Sequence, residues 1–147
     1  MKKALLIALM CIVPFKPNFT LIEKAEEVRF IQEEGLEYVY LSCYLPTGNR
    51  TADGTIPYEG ICSCNIEHLG QDCIMYDATT LTPVARWECR DIGGNSLLKQ
   101  GKAIDVFRTD MNRAIELKKT YGDHVYIKWV SREEGKDEET VSGNLLE

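Results

Sequence analysis

The sequence is short of positive charge, of histidine and of long apolar runs, and each shortage removes a class of function. Its 17 Lys and Arg stand against 23 Asp and Glu, a net charge of −6. No segment forms a basic stripe, so the electrostatic footprint of a nucleic-acid binder is missing. Histidine occurs twice, at His68 and His124, and nothing in the spacing pairs either with a cysteine as nucleophile and base. Cys62-x-Cys64-x-x-x-His68-x-x-x-x-Cys73 matches no common zinc module, so no metal is expected. The apolar run from Ala4 to Val13, closed by Pro14, is too short to span a bilayer comfortably. There is no internal repeat and no low-complexity segment before the C-terminal tail. The 147 residues are enough for one domain with a real core, not two.

What is present begins with an export signal. Lys2 and Lys3 precede the apolar run, the order of a signal peptide, so residues 1–25 read as a signal peptide or an N-terminal anchor. Residues 26–36 read as a linker or a short helix ended by Gly35. From Ser131 onward two cations, Arg132 and Lys136, face six anions, giving −4 in a stretch with few apolar residues. Residues 131–147 therefore read as a disordered acidic tail. The expected location is secreted or at the cell envelope, where disulfides are allowed. Five cysteines lie outside the signal: Cys43, Cys62, Cys64, Cys73 and Cys89. The number is odd, so at least one thiol stays free or pairs with another chain. Spacing does not fix the pairing; Cys73 with Cys89, both in predicted strands, is the favoured one.

Residues 37–130 carry the domain. Glu37 to Leu45 alternates with period two, a strand. Pro46 to Gly60 is rich in Gly, Pro, Asn, Asp and Thr, a loop. Asp72 to Tyr76 and Val84 to Cys89 read as strands, Ile104 to Phe107 as a short buried one, and His124 to Val130 as the last, with Val125, Ile127 and Trp129 on one side. Asp110 caps a predicted helix over Met111 to Lys119, with lysines in its last turn and Gly122 beyond. Trp87 and Trp129 read as core. Many short strands with one helix make an all-β fold, a small barrel.

Two segments carry the chemistry. In Asp91-Ile92-Gly93-Gly94, the paired glycines allow positive φ and close approach of another segment. In Ile104-Asp105-Val106-Phe107, a carboxylate sits in an apolar, β-prone run, where desolvation should raise its pKa and keep it a proton donor near neutral pH. The alternative for Asp105 is a strand aspartate that satisfies loop amides. The alternative for Asp91 is a turn residue bonded to nearby backbone.

Taken in order, Tyr44, Thr51-Ala52-Asp53-Gly54, Leu69-Gly70, Asp91-Ile92-Gly93-Gly94 and Ile104-Asp105-Val106-Phe107 resemble the 3D domain, named for its three aspartates. Membrane-bound lytic transglycosylase A and the stationary-phase survival muralytic proteins belong to that family. The resemblance covers about Tyr38 to Val130. It implies a six-stranded double-psi β-barrel that cleaves peptidoglycan glycan strands without metal or organic cofactor. It assigns Asp105 as the catalytic acid/base. Asp91 is expected to orient the Gly93-Gly94 loop and to tune Asp105 by charge. Thr51, Gly93, Gly94, Asn65 and Tyr44 are placed in the substrate cleft. The third aspartate's slot holds Asn65, which keeps hydrogen-bonding capacity but not charge, and Asp53 adds a carboxylate where the family has a small residue. The rival expectation is a non-catalytic wall-binding or envelope-interaction module on the same barrel.

Overall fold

The computed structural model describes residues 19–132. The segment before residue 19 and the acidic tail from residue 133 lie outside the described residues. Six strands close into one barrel: β1 (Glu37–Tyr44), β2 (Ile61–Cys64), β3 (Asp72–Tyr76), β4 (Pro83–Ile92), β5 (Ala103–Phe107) and β6 (His124–Val130). Their order around the barrel is β1-β5-β2-β4-β3-β6. The β1–β5 and β2–β4 pairs are parallel; β1–β6, β2–β5, β3–β4 and β3–β6 are antiparallel. Exchanging β1, β2, β3 with β4, β5, β6 maps this set of pairs onto itself. That internal two-fold is the double-psi arrangement, and closure leaves no free sheet edge.

Side-chain alternation fills the interior. Each strand sends two residues inward: Val39 and Leu41, Cys62 and Cys64, Cys73 and Met75, Trp87 and Cys89, Ile104 and Val106, Val125 and Ile127. Leu117 closes one end of this cluster from α3 (Met111–Tyr121). All are buried, so a truncation such as Ile104→Ala would cost about 2–5 kcal/mol.

Pattern reading misses β2. Its four residues, Ile-Cys-Ser-Cys, are all buried, so they show no polar alternation, and the strand is too short for a run to register. Three helical pieces accompany α3 among the described residues. α1 (Phe19–Glu34) takes the short-helix alternative for this stretch and ends where Gly35, at φ 64°, allows Leu36 N–H to reach Ile31 C=O at 2.9 Å. A 3-10 turn spans Ile66–His68, and α2 is the short turn Ser96–Lys99. α3 forms as its caps dictate. Asp110 accepts from Arg113 N–H at 3.0 Å, and Gly122, at φ 76°, closes the C-terminus. Among the described residues no helix is long and apolar enough to cross a membrane.

Candidate functional site

Strand register places four polar residues in one row across four adjacent strands. Ser42 pairs with Asp105 between β1 and β5, Asp105 with Ser63 between β5 and β2, and Ser63 with Asp91 between β2 and β4. Directly opposed residues share a face. Because Leu41, Ile104, Cys62 and Cys64 point into the core, Ser42, Asp105 and Ser63 face outward. Asp91 joins them through a bulge. Between Cys62 and Ser63 the partner on β4 jumps from Cys89 to Asp91, which leaves Arg90 as the extra residue. Simple alternation would send Asp91 inward after Cys89; the bulge turns it onto the outer face beside Ser63.

The row has distinct electrostatics. Asp105 is half-buried, and Ser42 Oγ donates to its Oδ1 at 3.0 Å. Burial pushes the Asp105 carboxyl above the ordinary aspartate value; the Ser42 hydrogen bond opposes this, and the Asp91 charge adds to it. Tyr44 lies two residues beyond Ser42 on the same face of β1, its ring edge-on to Phe107 at 5.3 Å. Burial raises the Tyr44 phenol strongly. Ser63 is close enough to counter that in part, and Asp91 and Asp105 raise it further. Among the described residues its buried hydroxyl completes no hydrogen bond of good geometry. A carboxyl that holds its proton above the usual range, with a like charge two strands away across Ser63, can donate that proton and later retrieve one.

Asp91 has a second task, different from the one expected. Its Oδ1 accepts from Ala52 N–H and from Ile92 N–H, both at 2.9 Å. It therefore ties the Thr51–Gly54 turn to the end of β4 and does not hold the Gly93-Gly94 loop. Thr51 itself is buried, and its hydroxyl reaches Asp53 Oδ1 at 2.7 Å. That engagement makes Thr51 a brace of the turn. Asp53 is also held by Arg90 Nη1 at 3.1 Å. Burial alone would raise the Asp53 carboxyl, but bonds from Thr55, Thr51 and Arg90 outweigh it and hold the group well below the usual range.

Three further expected residues sit differently. Asn65 caps the 3-10 turn by accepting from Glu67 N–H at 3.3 Å, and its amide donates to Lys99 C=O at 3.2 Å. It makes no bond to Asp91 or Asp105. Neither Gly93 nor Gly94 adopts positive φ, so the conformational reason expected for the pair fails. Close approach holds for Gly93, where any Cβ would run into the Leu98 side chain, while Gly94 faces open space.

The cysteines differ too. Cys64 and Cys89 form the disulfide, with Cα atoms 6.1 Å apart, in place of the expected Cys73–Cys89 pair. Cys73 lies opposite Trp87 on β4 and Trp129 on β6, which puts it out of register with Cys89. Among the described residues Cys43, Cys62 and Cys73 are free thiols. His68 stacks on Trp129 at 4.2 Å and bonds Gln71 at 2.7 Å. Among the described residues no cluster of metal-ligating side chains forms.

Ser42 and Ser63 are the members of the row that sequence reasoning passed over. Ser42 carried a usable signal, the outward phase of β1; Ser63 sits on the strand that pattern reading does not detect. No family model, no curated protein and no solved structure matches this chain.

Proposed function

We propose that this protein is a peptidoglycan lytic transglycosylase in which Asp105 serves as both acid and base. The observation that carries the reading is the Asp105 carboxyl itself, half-buried on the outer face, raised by burial and by Asp91, and held in place by Ser42. The six-stranded barrel, the fold that the sequence resemblance implies, adds support. A disulfide fits the expected export.

The chemistry uses one carboxyl twice. Protonated Asp105 donates to the oxygen linking N-acetylmuramic acid to N-acetylglucosamine, and the C–O bond breaks through an oxocarbenium-like transition state. The Asp105 carboxylate then takes the proton of the muramic acid 6-hydroxyl as that oxygen closes onto the anomeric carbon. The product is a 1,6-anhydro sugar, and Asp105 is protonated again. Burial, and to a smaller extent the Asp91 charge, keeps the acid protonated.

Purified sacculi digested with the protein should release anhydro-muropeptides detectable by mass spectrometry, and Asp105→Asn should release none. Equal release by the variant would remove Asp105 from the mechanism. One observation favours a non-catalytic wall-binding module instead: the third-aspartate slot holds Asn65, already committed to its cap. Tight sacculus binding with no anhydro product would establish that reading.

A further inference from the structure

We propose that the groove between α3 and β1 holds a short, methyl-rich peptide arm bearing carboxylates, attached to the sugar bound at Asp105. The proposal rests on the peptidoglycan reading, since N-acetylmuramic acid carries such an arm through its lactyl ether.

The groove, about 460 Å³, opens directly beside the polar row. Ser42 both lines it and donates to Asp105. Its floor is Tyr40, two residues before Ser42 on the outer face of β1 and so roughly 7 Å along the strand. Its far wall is one face of α3, with Met111, Ile115 and Lys118 at spacings of four and three. Met111 is 57 % and Ile115 44 % exposed, so this apolar face is left uncovered by the chain's described residues.

The wall chemistry selects the arm over a second sugar ring. Hydroxyls of a sugar would meet the Met111 and Ile115 side chains and lose water without gaining partners, which is unfavourable. Lactyl and alanyl methyls gain from the same burial. Charge selects an acidic arm. Lys118 Nζ is already held by Asp123 and by Leu41 C=O, both at 2.6 Å, and lies 4.7 Å from the Tyr40 ring centre. Lys119 lines the same groove, is exposed, and makes no ion pair among the described residues. It is the cation available to a glutamyl carboxylate.

The test is calorimetric titration of the full chain with two ligands. One is N-acetylglucosaminyl-N-acetylmuramic acid carrying an alanyl-glutamyl peptide; the other is the same disaccharide without peptide. The peptide-bearing ligand should bind about tenfold tighter, the scale of one buried alanyl methyl and one exposed ion pair, the lactyl methyl being common to both ligands. Lys119→Glu and Ile115→Asp, both at exposed positions, should each remove most of that preference. Equal affinities in the unaltered protein, no binding of either ligand, or a preference that survives both substitutions would overturn the proposal. Sacculus digestion reports separately. Lysis with equal affinities removes the arm and keeps the catalytic reading, whereas an arm preference without lysis does the reverse.

Discussion

Ser42 Oγ donates to Asp105 Oδ1 at 3.0 Å across the parallel β1–β5 pair, and this bond is the one contact that favours the charged form of a carboxyl otherwise pushed toward neutrality. On the other side, the Asp91 charge acts in the opposite sense. The two neighbours therefore set the proton affinity of Asp105 between them.

Under the proposed acid/base role of Asp105, opposite shifts in the pH–rate profile follow. Ser42→Ala removes a bond to the carboxylate, so the Asp105 pKa rises and the alkaline limb, where the protonated donor is lost, moves to higher pH. Asp91→Asn removes a like charge, so the pKa falls and the same limb moves to lower pH. Each substitution should cost between a fewfold and about a hundredfold in rate at the optimum, at or below the low end of the usual contribution of general acid–base catalysis, since both act through Asp105. Profiles on the same sacculi check the signs; shifts in one common direction would contradict this assignment of roles.

Stability should carry the same signature. Folded Asp105 keeps its proton to a higher pH than the unfolded chain does, because burial penalises the charge. Its contribution is therefore fully present below the ordinary aspartate value of about 4 and is lost as pH rises through the folded value. Asn at this position does not titrate and still accepts from Ser42. Asp105→Asn should match the unaltered protein in urea stability at acidic pH and exceed it at pH 7. A variant less stable at pH 7 than at pH 4, relative to the parent, would mean that Asp105 is not desolvated.

The sequence makes some of this legible and hides the rest for identifiable reasons. β1 and β6 announce themselves because each has one face on the core and one on solvent, so Val39 and Leu41, or Val125 and Ile127, alternate with polar partners. Asp110 and Gly122 bound α3 because capping is local chemistry. The apolar flanks of Asp105 correctly signal a shielded carboxyl, but Ile104 and Val106 point into the core while Asp105 faces out. The row itself is invisible in one dimension, since Ser42, Ser63 and Asp91 meet Asp105 only through register and a bulge at Arg90. Asn65 illustrates the limit of motif matching: position in the chain suggested the cleft, whereas its side chain spends its bonds on Glu67 and Lys99.

Disulfide mapping tests the register independently. Peptide analysis of unreduced protein should recover Cys64 linked to Cys89, with Cys62 and Cys73 slow to alkylate until denaturation, since both are buried. The bridge closes a loop of 25 residues, so Cys64→Ala should lower stability by about 3 kcal/mol relative to the oxidised parent. Cys73→Ala should leave the bridge intact. A Cys73–Cys89 peptide would require a β3–β4 register other than the one that sets Cys73 opposite Trp87.

Gly93→Ala tests how the motif glycines act. Gly93 does not need left-handed backbone; it needs the space that Leu98 occupies. Leu98 is buried and anchors α2 against the barrel in the β4–β5 connection, close after Asp91. An added methyl must push Leu98 aside, at a cost of about 1–3 kcal/mol. Gly94→Ala meets open space and should change stability by no more than about 0.5 kcal/mol. The double variant Gly93→Ala with Leu98→Ala separates sterics from backbone strain. Leu98→Ala alone costs the buried side chain, but it vacates the volume the new methyl needs. The pair should therefore be less destabilised than the sum of the singles, by an amount on the order of 1 kcal/mol. Chemical denaturation of the three variants gives the coupling directly. Additive losses would show that the clash with Leu98 is relieved by backbone movement, and that Gly93 is needed for some other reason.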